Sequence, residues 1–189
     1  TMALDSMREI FEKAAAGQIS FWQVILETDM EQRQVTAEQS MEKMRVTWQA
    51  MLESVTAYQG TERSRSGLVG GDGEKMRQYV ENGKGLCGAY LREVVATALS
   101  VGESNACMRK IVAAPTAGAC GVLPAVLVPL YQAGMVSEEQ ILQALYAASG
   151  IGAVIGYRAC IAGAAGGCQA EIGTACAMAA GALTSIQGG

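Results

Sequence analysis

The sequence contains no histidine, six cysteines and two short stretches where hydroxyls sit among glycines, and these residues set what chemistry it can carry. Without imidazole, the chain cannot build a Ser-His-Asp or Cys-His nucleophilic site, an HExxH zinc site or a His-ligated haem. A general base must be a carboxylate, a Lys, a Tyr or a Cys, or must come from another chain. Cys87, Cys107, Cys120, Cys160, Cys168 and Cys176 all fall after residue 86, with no CxxC pair. Their spacing excludes a self-contained zinc ribbon or thioredoxin-like site and does not read as a disulfide framework. In Gly/Ala-rich surroundings they are expected to be reduced thiols, packed as small hydrophobes in a cytoplasmic protein.

The first hydroxyl-rich stretch runs from Gln59 to Asp72, where helical periodicity stops and Gly and Ser accumulate. Two readings are open. Gly and Ser supply turns cheaply, so it can be a flexible connector. Alternatively, Ser64, Ser66, Gly67, Gly70 and Gly71 can offer hydroxyls and bare backbone N–H groups as a nest for a carboxylate or phosphate. Neither GxGxxG after a strand nor GxxxxGK[ST] is present, which argues against nucleotide binding. The second stretch surrounds Thr116 and Gly118. Pro115 should stop a preceding helix and Pro124 suits the first turn of the next one. A loop beside a helix N-terminus is a favourable place for an anion.

The elements that must position these loops are helical. With 189 residues and a net charge of −4, the chain is the size of one ordinary domain. After Lys110 the only charged residues are Glu138, Glu139, Arg158 and Glu171, so a solvated part precedes a buried one. We divide it into amphipathic helices over 1–58 and a Gly/Ala-rich catalytic core over 59–189, in one continuous domain. Ser6 with Glu9, Thr36 with Gln39 and Ser137 with Gln140 are spaced as capping boxes. Met41, Met44, Trp48, Met51, Leu52 and Val55 form a stripe at helical spacing. So do Leu86, Tyr90, Leu91, Val94, Val95, Ala98 and Leu99. A further helix is expected to start near Glu103 and run to Ala114, and a small-residue helix to occupy 174–186. Strand signals are weak, so the fold class is all-α: a compact bundle of amphipathic N-terminal helices around a Gly/Ala-rich helical core. The uncharged run from Ile111 to Val136 is broken by prolines, which argues against a membrane span. Mild acidity without a basic stripe argues against nucleic acid.

Four segments in order, Ser64-Arg-Ser-Gly-Leu-Val-Gly-Gly-Asp72, Ala114-Pro-Thr-Ala-Gly-Ala-Cys-Gly-Val-Leu-Pro124, Ala162-Gly-Ala-Ala-Gly-Gly-Cys-Gln-Ala-Glu-Ile-Gly173 and Ala175-Cys-Ala-Met-Ala-Ala180, resemble one family. It is the α chain, or catalytic domain, of the iron-sulfur-dependent L-serine dehydratase. The resemblance implies deamination of L-serine to pyruvate and ammonia without pyridoxal phosphate. It implies a 4Fe-4S cluster with three cysteine ligands, whose fourth iron acts as a Lewis acid on the β-hydroxyl while a base removes the α-proton. Cys168 is then a cluster ligand, between glycines and amides that let the backbone approach inorganic sulfur. The Ser64, Ser66, Gly67, Gly70, Gly71, Thr116 and Gly118 positions are then substrate-binding. Two further cysteine ligands are expected beyond residue 189, so this piece alone is expected to hold no assembled cluster and to be inactive. Cys176 is expected to be a packing residue. A beta chain or regulatory domain and an oligomeric assembly are also implied.

The run Arg158-Ala-Cys-Ile-Ala-Gly-Ala-Ala165 departs from the family's Asn-Ala-Ser-Ile-Ser-Gly-Ala-Glu, losing an acid and hydroxyls before the Gly-Gly-Cys. Candidate bases within the chain are Lys84, Tyr90 and Glu171, with no choice among them. The rival function from another class is a helical oligomerisation or regulatory module without a catalytic role.

Overall fold

Short polar side chains fix where the helices begin. The computed structural model describes residues 4–83 and 85–189, so the candidate base Lys84 lies outside the described residues. Ser6 Oγ accepts from the Glu9 N–H (3.2 Å) ahead of α1, Met7–Gly17. Gln23 accepts from the Ser20 N–H (2.8 Å) at the start of α2, Phe21–Arg33. Thr36 and Gln39 exchange both capping bonds before α3, Ala37–Thr56, and Ser137 and Gln140 do the same before α7, Glu138–Arg158. Each cap satisfies amides that have no partner within the helix. Between α3 and α7 lie α4 (Asp72–Glu81), α5 (Ala89–Ala106), a 3₁₀ turn at Ala117–Ala119 and α6 (Val122–Gln132). After α7 come the single turn α8 (Gly163–Gly166) and α9 (Cys168–Ile186). The described residues contain helices and no strand, so the fold is all-α.

The chain forms two compact units, one from residues 1–48 and 137–189, the other from 49–136. This division follows packing, and its first boundary falls inside α3. In the first unit, α7 packs against α9 and α2, and α1 against α2. Leu4, Ile10, Val24, Ile25, Tyr146 and Val154 share one apolar cluster. Close approach depends on missing side chains: a Cβ on Gly152 would lie 2.8 Å from Met178 Sδ, and one on Gly150 2.4 Å from Ile25 Cδ1. Ser40, at the heart of this unit, hydrogen-bonds both Asp29 (2.5 Å) and the Tyr146 hydroxyl (2.6 Å), joining α2, α3 and α7. Such a buried hydroxyl costs free energy unless it is paired, and here it is. In the second unit, α5 packs against both α4 and α6.

Two expected boundaries move. Residues 103–106 end α5 rather than open a new helix, and 109–116 are irregular. Helix α7 continues through Gly150, Gly152 and Gly156 to Arg158, and α9 begins at Cys168 instead of 174. The helical cost of those glycines is offset by the approach of Ile25 and Met178. On α5 the buried face is Ala96, Thr97, Ser100, Val101, Glu103 and Ser104, while Tyr90, Leu91, Val95 and Leu99 of the apolar stripe are exposed. Pro115 ends no helix, but Pro124 does sit in the first turn of α6.

Gly150→Val should overpack the α2–α7 contact and cost about 1–3 kcal/mol. Thermal unfolding checks this: a lowered midpoint is expected, and an unchanged one would show that Ile25 simply turns away.

Candidate functional site

In the second unit the serine-glycine segment is a closed turn. The Ser64 N–H donates to Val69 O (2.8 Å), the Val69 N–H returns to Ser64 Oγ (3.1 Å), and the Ser64 and Ser66 hydroxyls lie 3.0 Å apart. The Gly67 N–H closes onto Ser64 O at 2.8 Å. The chain then leaves through Gly70 and Gly71 into α4. Gly71, at φ 83°, caps that helix in a left-handed conformation that glycine adopts without penalty.

The anion at this cap is supplied by the protein itself. Glu103, 6% exposed, accepts from the amides of Gly71 (3.0 Å), Asp72 (2.7 Å) and Gly73 (3.3 Å) and from the Tyr58 hydroxyl (2.5 Å). Tyr58 in turn accepts from the Glu74 N–H at 3.0 Å. Burial first, then its hydrogen bond to Glu103, push the Tyr58 phenol well above its ordinary pKa, so it stays protonated and donates. Gly73 has no room for a side chain, since a Cβ would lie 2.9 Å from the Tyr58 hydroxyl and 2.8 Å from Ser100 Oγ. Sequence reasoning missed Glu103, Tyr58 and α4. The available signal was Glu103 itself, an isolated acid closing the apolar run of α5.

The Ala-Pro-Thr loop follows in the same unit. Its Ala114–Pro115 peptide is cis, Asn105 Nδ2 donates to Ala117 O (3.1 Å), and Gly121 sits so close to α5 that a Cβ would lie 3.0 Å from Ala98 O. Cys120 is buried, which pushes its thiol pKa up. Held from these sides, the loop leaves the Thr116 hydroxyl oxygen buried with no hydrogen-bond partner. Gly118 is exposed. Tyr90, on α5, donates its hydroxyl to Val126 O (2.9 Å), and burial raises its pKa.

The third locus lies in the first unit. Past Arg158, whose Nε donates to Asp5 O (2.6 Å), α8 makes one turn and Gly167 (φ 81°) reverses the chain into α9. Cys168 is the first residue of α9 and is exposed. Glu171, in the same first turn, is half-buried against Gly163, where a Cβ would lie 2.4 Å from Glu171 Oε2. Ala165, at the position of the departure, is exposed. Among the described residues no three His, Cys, Asp or Glu side chains converge as a metal site. This locus therefore presents exposed thiols, Cys168 at the start of α9 and Cys160 ahead of α8, without a converged set of metal ligands among the described residues. A separate cavity of about 320 Å³, lined in part by Asp29, Ser40, Lys43 and Tyr146, contains none of the candidate residues.

The description "Serine dehydratase alpha chain" belongs to the family model that matches residues 16–189. This chain belongs to the serine dehydratase alpha chain family. It is 35% identical over 184 residues to "Probable L-serine dehydratase, alpha chain" of Bacillus subtilis, covering 97% of this chain and 61% of that protein. It is 35% identical over 187 residues to "L-serine dehydratase, alpha chain" of Peptoniphilus asaccharolyticus, covering 98% of this chain and 64% of that protein. It is 48% identical over 93 residues to "L-serine dehydratase TdcG" of Escherichia coli, covering 49% of this chain and 20% of that protein. The chain therefore spans less than two thirds of the length of these two alpha chains. No solved structure matches.

Within this chain the thiols do not share one environment. Cys87, Cys160, Cys168 and Cys176 are exposed, Cys107 is intermediate and only Cys120 is buried, which corrects the expectation of buried thiols and of a packed Cys176. The small neighbours that suggested packing leave these sulfurs uncovered. No helix among the described residues is long and apolar enough to cross a membrane. Brief maleimide labelling of the native protein, read by peptide mass spectrometry, should modify Cys87, Cys160, Cys168 and Cys176. Cys120 should react only after unfolding, because both access and thiolate are withheld.

Proposed function

We propose that the whole protein of which this chain is a part deaminates L-serine to pyruvate and ammonia as an iron-sulfur, pyridoxal-phosphate-independent lyase. The observation that carries this reading is the Ala-Pro-Thr loop, tied down by Asn105 and by the close approach of Gly121 yet leaving the buried Thr116 hydroxyl without a partner. An unpaired buried hydroxyl is costly, so a ligand that supplies its bond is favoured. The carboxylate and ammonium of an amino acid both can.

Thr116 would bind the substrate's carboxylate or ammonium group, and the Ser64 and Ser66 hydroxyls would orient it. Gly67, Gly70 and Gly118 would let main chain approach it. The Gly71 amide serves Glu103, so its share is to shape the turn. Cys168 would hold a 4Fe-4S cluster together with two cysteines outside this piece. When bound, the cluster supplies a Lewis-acidic iron that makes the β-hydroxyl a better leaving group. Of the candidate bases, Tyr90 spends its proton on Val126 O and burial holds that proton on. Glu171 is the carboxylate that shares the first turn of α9 with Cys168, so we assign it the α-proton. A beta chain partner and an oligomer are supported by the words "alpha chain" in the relatives' names and by the exposed Leu91, Val95 and Leu99 on α5. Six free thiols suit a reducing cytoplasm. That same exposed α5 face favours the second reading, an assembly module without catalysis.

The full-length protein, purified anaerobically with its cluster, should form pyruvate from L-serine, and an active cluster-loaded preparation excludes the second reading. Thr116→Ala should weaken turnover at low serine about tenfold, the worth of one hydrogen bond to a charged group. It should leave the melting temperature of the free protein unchanged, because the hydroxyl has no partner there. Equal loss of stability and activity would remove Thr116 from the substrate. Cys168→Ala should abolish both the cluster's visible absorbance and turnover.

A further inference from the structure

Glu103 is buried, belongs to none of the residues expected to touch substrate, and yet gathers more hydrogen bonds than any of them. Oε2 accepts from the Tyr58 hydroxyl and the Gly71 and Gly73 amides, and Oε1 accepts from the Asp72 amide. A carboxylate offers about four lone-pair sites, so little acceptor capacity remains for a substrate or a proton in flight. The geometry points to Glu103 as a positioning residue: it clamps the N-terminus of α4 and thereby holds the Ser64–Gly70 turn in its substrate-binding position. This rests on the reading above, in which Ser64 and Ser66 orient L-serine.

The physical chain is short. Residues 71–73 carry amides at the start of α4 that intrahelical bonds cannot satisfy. A single charged acceptor from α5 gathers all three, and charge-assisted bonds of this kind are about twice as strong as neutral ones. Tyr58, just past α3, adds the fourth bond and also accepts from the Glu74 amide, so both ends of the loop, residues 58 and 74, meet at one point. The Ser64 turn hangs between those ends. Its own internal bonds set its shape, and the clamp sets where that shape is presented.

A glutamine at position 103 would offer one acceptor oxygen and set an NH₂ group against amides that also donate. In the anaerobic full-length holoenzyme, Glu103→Gln should raise KM for L-serine about tenfold while lowering kcat less. In the same protein, hydrogen–deuterium exchange should speed up across 64–73, a readout independent of turnover. Tyr58→Phe keeps the carboxylate and its amides and should shift both quantities in the same direction by less. It carries the test if Glu103→Gln does not fold. Faster exchange with unchanged KM would reduce Glu103 to a structural tie and overturn the proposal, as would unchanged exchange. If the wild-type holoenzyme turns over no serine, the serine reading itself falls. An active wild type with unaffected variants overturns the role of Glu103 alone, so the two failures are distinguishable.

Discussion

A carboxylate that is 6% exposed must be neutralised, paired or fully hydrogen-bonded, because its desolvation costs several kcal/mol. Glu103 meets that demand with three main-chain amides and one phenol, and the arrangement of the second unit follows from it. Helix α4 must start where its free amides can face α5, which requires a left-handed Gly71 and a Gly73 without a side chain. Tyr58 must lie at the same point and keep its proton, which its burial ensures. The serine turn between these ends is then placed by bonds it does not itself make. Of the glycines expected to cradle an external anion, Gly71 gives its amide to this internal carboxylate.

The first unit is organised by approach distance. Along the later part of α7, glycines let neighbouring side chains come against the main chain, as at Gly152 against Met178 and Gly150 against Ile25. Dispersion and burial then act over many short contacts rather than a few bulky ones. Ser40, between Asp29 and Tyr146, satisfies hydroxyls in this core that would otherwise oppose burial. At the edge of this unit Gly167 turns the chain so that Cys168 emerges exposed at the first position of α9. A thiol in that place is open to a ligand, whereas Cys120, buried in the second unit, is a packing atom.

Much of the site was readable because its signals are local. The hydroxyl and glycine stretches around Ser64 and Thr116, the Gly-Gly-Cys turn and the caps at Thr36 and Ser137 all depend on neighbours three or four residues away. Glu103 was not readable in this way. Glu-Ser-Asn looks like a helix start, yet the residue closes α5, because the groups that stabilise its charge lie 30 to 45 positions distant. The glycines of α7 are a second case in which distant neighbours decide. Their intrinsic cost argues for a break after Gly150, and only the helices packed against them reverse the balance.

The sequence by itself determined the helical class, the family, the absence of imidazole chemistry and the positions of Cys168 and Thr116. These follow from composition and short motifs, which are properties of the chain in any conformation. Tertiary structure decided which amides meet which carboxylate, which thiols are exposed, and that the Thr116 hydroxyl is buried without a partner. Burial and long-range hydrogen bonding exist only once distant segments pack, and they set the energetic cost of every polar group in the site.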